Sequence, residues 1–223
     1  MISDPRPDGA APRHFGVYPA IVTDIVDPKS LGRVQVRFPW LGKDAGGQDV
    51  RAWATLVTPY AGDQQGIEIL PEVDTQVVVA FEAGDLRRPY IVGCCWNGKE
   101  KLPQAPDKSN DKRVWKSRAK SVLEFDDAKG AAKVTLKMQS GHTVVLDDAA
   151  KQVQVRHANG SVITLTSGGQ ITIRANSTVD ITASALNVHC PVANFDGVVN
   201  CTTLVAKSAV ASPSYTPGAG NIW

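Results

Sequence analysis

Side chains suited to acid–base, nucleophilic or metal chemistry are few in this sequence, and their spacing is poor for all three. There are four histidines: His14, His142, His157 and His189. A nucleophilic triad needs a hydroxyl beside an imidazole and a carboxylate to orient the ring. Ser161 and Ser167 follow His157, but no GxSxG, HExxH or phosphate-loop pattern accompanies them. Two carboxylate pairs, Asp126-Asp127 and Asp147-Asp148, are candidate metal ligands or an acid/base couple. Each pair closes an alternating apolar stretch, where Asp ends a strand, favours a turn and keeps an exposed edge soluble, and we read them that way. His189 with Cys190 beside it is a weak metal candidate, because three copies of a chain can place three imidazoles round one axis. If Leu186 and Val188 point inward, however, alternation sends His189 outward. Gly141 and Gly168-Gly169 precede no helix and read as turn residues, not as anion-binding loops. The four cysteines, two of them adjacent as Cys94-Cys95, form neither a disulfide framework nor a CxxC pattern and read as reduced packing residues. No catalytic residue and no cofactor is expected, and the chain reads as non-enzymatic.

What the sequence does repeat is a structural unit. From Gly141 to Ala206, apolar residues recur in pairs two apart: Val144/Leu146, Val153/Val155, Ile163/Leu165, Ile171/Ile173, Val179/Ile181, Leu186/Val188, Ala193/Phe195 and Val199/Cys201. Successive pairs begin 9, 10, 8, 8, 7, 7 and 6 residues apart, with Gly, Asn, Ser, Asp and Thr between them. Each unit reads as a short strand and a turn. Two inward side chains cannot bury their own strand, so neighbouring rungs or other copies must cover it. That is the logic of a β-helix or β-prism.

The first half has a different texture. GVYPAIVTDIVDP, GRVQVRFPWLG, RAWATLVTPYAG, GIEILPEVDTQVVVAFEAGD and RRPYIVGCCWNG are runs rich in Val, Ile and aromatic residues, closed by Gly, Pro and Asp. Val34, Val36 and Phe38 alternate with Arg33, Gln35 and Arg37, which predicts one face in and one face out. Val77-Val78-Val79 is continuous, as for a strand covered on both sides. Five such strands fit a small barrel of the OB type. Trp40, Trp53, Tyr60, Phe81, Tyr90 and Trp96 suggest a base-stacking surface, so single-strand nucleic-acid binding is the alternative function. The net charge of +2 across 223 residues argues against it, and against a charge-driven bilayer partner. No apolar run reaches the roughly 18 residues of a membrane span, and Met1–Arg13 lacks a signal-peptide pattern, so a soluble protein made in the cytoplasm is expected.

The runs GRVQVRFPW, RAWATLVTPYAG, LPEVDTQVVVAFEAGD and RRPYIVGCCWNGKEKLP, continued by SVLEFDDAKGAAKVTL and SGHTVVLDDAAKQVQV, resemble the phage baseplate assembly protein V family and the VgrG-type spikes of type VI secretion. The resemblance covers roughly residues 14–205. It implies an all-β homotrimer, with an N-terminal OB-fold barrel followed by a C-terminal trimeric, intertwined β-helix needle. It also implies a structural role as the central spike of a contractile injection machine, joining a baseplate hub protein to a membrane-piercing tip. Such a spike would be assembled in the cytoplasm and carried in a virion or an extracellular phage-like particle, touching the target envelope transiently. Contact with an inner tube or an effector is a further implication. A trimeric polysaccharide-binding tailspike is a third reading, and it would need a carboxylate pair in a groove.

On this reading the chain divides into an arm (1–13), the barrel (14–98), a linker (99–115), the β-helical spike (116–206) and a tip tail (207–223). The linker is too short for a lysozyme domain, and the arm too short for a hub domain, so a separate hub is expected. The trimer core is assigned to Val153, Val155, Ile163, Leu165, Ile171, Ile173, Val179, Ile181, Leu186 and Val188. The His-x-His motif of metal-holding tips is absent at Asn187-Val188-His189-Cys190, so a PAAR-type tip protein is expected instead, docked on Leu204, Val205, Tyr215, Ile222 and Trp223.

Overall fold

The computed structural model describes residues 12–212 and is all-β apart from two single-turn 3₁₀ segments. Five strands close a barrel: β1 (Val17–Asp24), β2 (Arg33–Arg37), β3 (Arg51–Leu56), β6 (Gln76–Phe81) and β7 (Pro89–Cys94). A two-residue pair, β4 (Ala61–Gly62) and β5 (Gln65–Gly66), sits in the loop between β3 and β6. The order β1-β2-β3-β7-β6 is antiparallel throughout, except where β3 runs parallel to β7. This is the OB connectivity.

The barrel closes because alternation supplies one apolar residue in two. Ala20, Val22, Val34, Val36, Phe38, Ala54, Val77, Val79, Phe81 and Ile91 form its buried core. Arg33, Gln35 and Arg37 point outward as the alternation requires. Val78 is a correction: it is half-buried between the enclosed Val77 and Val79, so β6 is covered fully only on its inner face. One end of the barrel is plugged by rings, with Tyr18 stacked on Trp40 at 4.7 Å and Phe38 edge-on to Phe81 at 5.5 Å. Trp40 also donates its indole N–H to the Pro19 carbonyl at 3.1 Å.

The second body of regular structure is a seven-stranded antiparallel sheet. Its strands are β8 (Lys112–Lys116), β9 (Val122–Asp126), β10 (Lys133–Lys137), β11 (Thr143–Asp147), β12 (Gln152–Arg156), β13 (Val162–Thr166) and β14 (Ile171–Arg174). They pair strictly in chain order. Lys112–Lys116, which the sequence reading left almost wholly in the linker, is therefore a strand. Its Trp115 lies opposite Leu123, and that pairing holds the segment extended.

Within one chain, residues 112–174 form this antiparallel meander, where an intertwined β-helix of three chains is expected from residue 116 onward. The intervals between strands are tight turns, closed for example by Gly141 N–H to the Met138 carbonyl and Gly160 N–H to that of His157, both at 3.0 Å. Such turns reverse the chain, whereas a coil of parallel rungs needs longer connections. Gly141 and Gly160 have φ of +97° and +95°, a region in which a Cβ is strained.

The chain divides at Asn176/Ser177. Beyond that point the described residues form no strand, and no backbone hydrogen bond joins them to one another. The expected rungs at Val179/Ile181, Leu186/Val188, Ala193/Phe195 and Val199/Cys201 therefore have no ladder among the described residues of one chain. No helix of the described residues is long and apolar enough to cross a membrane.

Candidate functional site

The sheet's register sorts its side chains into two unlike faces. Residues directly opposite across a ladder share a face. Two lines of partners run across all or nearly all the strands. Trp115, Leu123, Leu136, Val144, Val155, Ile163 and Ile173 make one line, and Phe125, Val134, Leu146, Val153, Leu165 and Ile171 make the other. The opposite face carries Val114, Glu124, Thr135, Val145, Gln154, Thr164 and Thr172 in its central line, five polar residues and two valines. At about 4.8 Å per strand, the seven-stranded face extends roughly 29 Å.

The apolar face is the open one. Ile163 and Leu165 are each 41% exposed, and Ile171 and Ile173 reach 66% and 60%. Val153 and Val155 are also exposed. On the polar face, Gln154 and Thr164 are half-buried and joined by a 3.4 Å hydrogen bond, and Lys112 pairs with Glu124 at 3.2 Å. The Glu124 carboxylate beside it raises the Lys112 ammonium above its ordinary range, and Asp126 adds to the effect. A chain that satisfies its polar face and leaves its aliphatic one in water has its main apolar surface still to bury.

Of the other residues assigned to a trimer core, Val179, Ile181, Leu186 and Val188 lie beyond the chain division, all more than half exposed. Leu204 and Val205 are likewise exposed, while Tyr215, Ile222 and Trp223 lie outside the described residues.

The candidate chemical residues do not converge. His142 and His157 come within 4.2 Å centroid to centroid, but each uses Nδ1 to accept a backbone N–H, from Ala158 and Asn159 respectively. The Ser161 hydroxyl accepts the Asn176 N–H and makes no bond to His157. The turn residue of one hairpin thus anchors the backbone of the next. Asp126 and Asp147 are the last residues of β9 and β11, and their carboxylates accept the turn N–H groups of Ala128 and Ala150. His189 and Cys190 are exposed, and among the described residues no three metal-ligating side chains cluster. The four cysteines are unpaired, and partial burial holds the Cys94 thiol above its ordinary value, in its unreactive form.

Nor do the six aromatic residues singled out in the sequence make one stacking platform. Phe81 is in the core, Trp40 belongs to the ring cluster at the barrel end, and Trp53 lies under the Arg33 guanidinium at 5.7 Å. Tyr60 and Trp96 are exposed, but neither has another ring in contact among the described residues.

Residues 18–96 match the family described as the Type VI secretion system/phage-baseplate injector OB domain. Beyond those residues the chain is similar to VgrG-type spike proteins. It is 26% identical over 133 residues to the type VI secretion system spike protein VgrG3 of Vibrio cholerae, an alignment covering 57% of this chain and 13% of that protein. It is 26% identical over 138 residues to the spike protein VgrG4b of Pseudomonas aeruginosa, covering 57% and 17%. The actin cross-linking toxin VgrG1 of Vibrio cholerae is 24% identical over 131 residues, covering 56% and 12%. The chain thus spans less than a fifth of the length of these relatives.

Proposed function

We propose that this protein works as a homotrimer, as the central spike of a contractile injection machine such as a phage tail, a tailocin or a phage-like translocation particle. The observation that carries this reading is the bare apolar face running across β8–β14. Burying a Val, Leu or Ile side chain is worth about 1.5–3 kcal/mol, so a face of such residues strongly favours association with equivalent faces of other copies. Three sheets packed with these faces inward make a prism whose outer surface is the polar face. From Ser177 to Ala211 no backbone–backbone hydrogen bond is made among the described residues, and unpaired backbone groups enclosed in an assembly must be satisfied by another strand. Strands donated by the other two copies satisfy that need and make the distal part an intertwined needle.

The role is mechanical. The barrels join the needle to a separate hub protein, and the needle, stiffened by inter-strand hydrogen bonding with few free edges, transmits the thrust of contraction to an envelope. No step of bond chemistry is required of this chain. At the far end, Ala211–Trp223 and the last rungs form the dock of a PAAR-type tip protein. Localisation follows from this role: assembly in the cytoplasm, then residence in a virion or extracellular particle.

The decisive experiment is the mass of the full-length chain in solution. Three chains are expected, and a stable, monodisperse monomer overturns the reading. The tip assignment has its own test. Deleting Ser212–Trp223 should leave the trimer intact and abolish co-purification of the tip protein from assembled particles; a truncated spike that keeps its tip overturns it.

A further inference from the structure

The net charge of +2 conceals a row of cations along one turn edge of the sheet. Lys116, Lys137, Arg156 and Arg174 alternate, in a single line of register partners, with Val122, Thr143 and Val162. The alternation arises because every second strand ends on a cation here: KRVWK, KVTLK, QVQVR and ITIR. The row lies on the polar face, because each cation is one residue on from a member of the apolar line, Trp115, Leu136, Val155 or Ile173. All four residues are exposed, and none has a carboxylate within salt-bridge distance among the described residues. The Arg156 guanidinium donates to a neutral acceptor, the Gln154 side-chain carbonyl, at 3.2 Å. The turns at this edge, 117–121, 138–142 and 157–161, contain no Asp or Glu and add Arg118 and Lys120. Arg118 is already paired, with Glu72 at 3.0 Å. Cations at the opposite edge have carboxylates of their own, Arg113 on Asp127 at 3.2 Å and Lys151 on Asp148 at 2.8 Å.

A row about 29 Å long and one residue wide, with cations about 9.6 Å apart, selects a ligand by shape as well as by sign. The rest of the polar face offers an anion little. The next line holds Glu124, about 7 Å away, and the line beyond alternates Lys112 and Lys133 with Asp126 and Asp147. A broad anionic plane laid on this face therefore spreads over a region where Lys112 and Lys133 are outnumbered by Glu124, Asp126 and Asp147. A single chain lying along the edge meets cations only. An acidic peptide is a single chain too, but its backbone N–H groups need acceptors. The row crosses strands whose backbones are already joined in ladders, so a peptide adds to this sheet only beside β8 or β14, at right angles to the row. A phosphodiester chain carries anionic oxygens and no backbone donors, and it lies on the row without that cost.

We propose that this row binds a flexible, single-chain phosphodiester polymer through its phosphates. The site is complete within one chain; in the trimer put forward above, on which only its number of copies rests, the polar face is outward and the row stays in water. The spacing of the cations is close to the screening length in physiological salt, so each contact acts nearly independently and the affinity rises steeply as salt falls. Phosphate contacts carry no base sequence, so a nucleic acid and a glycerol-phosphate polymer share the chemistry that the row recognises.

The test uses the full-length protein and two fluorescent probes, a single-stranded thymidylate oligomer and a short poly(glycerol phosphate), with binding read by anisotropy across a salt series. Four contacts predict that the logarithm of the binding constant falls against that of the salt concentration with a slope of about −3. Lys137→Gln with Arg156→Gln should halve that slope and weaken binding by more than about tenfold at about 50 mM salt. Lys129→Gln with Lys151→Gln removes the same charge from the opposite edge and should leave slope and affinity at their wild-type values. Binding of either probe with this pattern supports the row, and the probe that binds names the source of the polymer. No binding of either probe at about 50 mM salt, or equal losses from the two double variants, overturns it. Tighter binding of phosphatidylglycerol vesicles, or of polyglutamate, than of both probes also overturns it, in favour of a lipid surface or an acidic peptide. If the first double variant does not regain the wild-type far-UV spectrum, Lys116→Gln with Arg174→Gln takes its place under the same criteria. Mass in solution is measured alongside: a monomer that binds with this pattern fails the trimer reading and supports the row.

Discussion

Ile163 stands directly opposite Ile173 on the apolar face of the β13–β14 ladder, while Thr164 and Thr172, one residue on from Ile163 and one before Ile173, pair on the other face. Ile173→Asp and Thr172→Asp are therefore neighbouring substitutions with opposite surroundings. In a trimer with its apolar faces inward, Ile173→Asp buries three unpaired carboxylates and should cost several kcal/mol per assembly. Thr172→Asp leaves its charge in water. Size-exclusion profiles should show loss of the trimer for the first and retention for the second; equal damage from both means the two faces are assigned the wrong way round.

The barrel gives a prediction independent of assembly. Phe38 is 1% exposed and touches the ring cluster from inside the barrel. Phe38→Ala leaves a cavity that the closed sheet cannot collapse around, and should lower the barrel's unfolding free energy by about 3–5 kcal/mol in urea titration. A loss under about 1 kcal/mol would mean that the core around Phe38 is not closed.

The barrel was legible in the sequence because its signal is local. Val34, Val36 and Phe38 differ from Arg33, Gln35 and Arg37 by one residue step, and a closed barrel turns that step directly into inside and outside. The pairs from Val144 to Ile173 were legible for the same reason, and the register puts all eight of these residues on one face. The direction of successive strands was not legible: apolar spacing is the same for a coil and a meander, and the turns decide between them. Strand β8 was hidden because its identity depends on β9, across the turn from it, and not on its own polar composition. The row of cations Lys116, Lys137, Arg156 and Arg174 along one turn edge of the sheet was hidden by averaging. Lys116 and Arg174 lie 58 positions apart in the chain, and only the folded register sets them in one line.

A pH dependence follows from the barrel's loops. Asp27, whose side chain is 2% exposed, accepts N–H groups from Lys29 and Leu31 and a two-pronged bond from Arg33. The Arg33 guanidinium holds this carboxyl well below the usual carboxylate range, and the Arg87 guanidinium pulls Asp85 to about 2. Both groups bind a proton less readily folded than unfolded, so their contribution is fully present above the ordinary value of about 4 and is lost as pH falls below it. Thermal melts between pH 7 and pH 2 should show the barrel's Tm falling chiefly below about pH 4. Asp27→Asn should lower Tm at neutral pH and flatten that acid slope. Asp85→Asn should do less, since its Arg87 partner is 88% exposed and screened by solvent. An acid slope unchanged by Asp27→Asn sinks the assignment.

The segment after Asn176 offers the most direct view of chain-to-chain pairing. Val179, Ile181, Leu186 and Val188 keep the two-residue spacing of the sheet, yet their backbone N–H groups have no hydrogen-bond acceptor among the described residues of the same chain. An unpaired amide exchanges its hydrogen at the rate of an unfolded peptide, while one in a ladder is protected according to the cost of opening that ladder. In the assembled full-length protein, amides from Val179 to Val188 should exchange slowly, about as slowly as those of β12 and β13, because strands from the other copies complete their ladders. Diluting to conditions that dissociate the trimer should abolish protection in 179–188 first and leave the single-chain ladders of β9–β13 partly protected. Free exchange across 179–188 in the intact trimer would mean that the distal rungs are not interchain strands, and the needle would then have to end near Arg174.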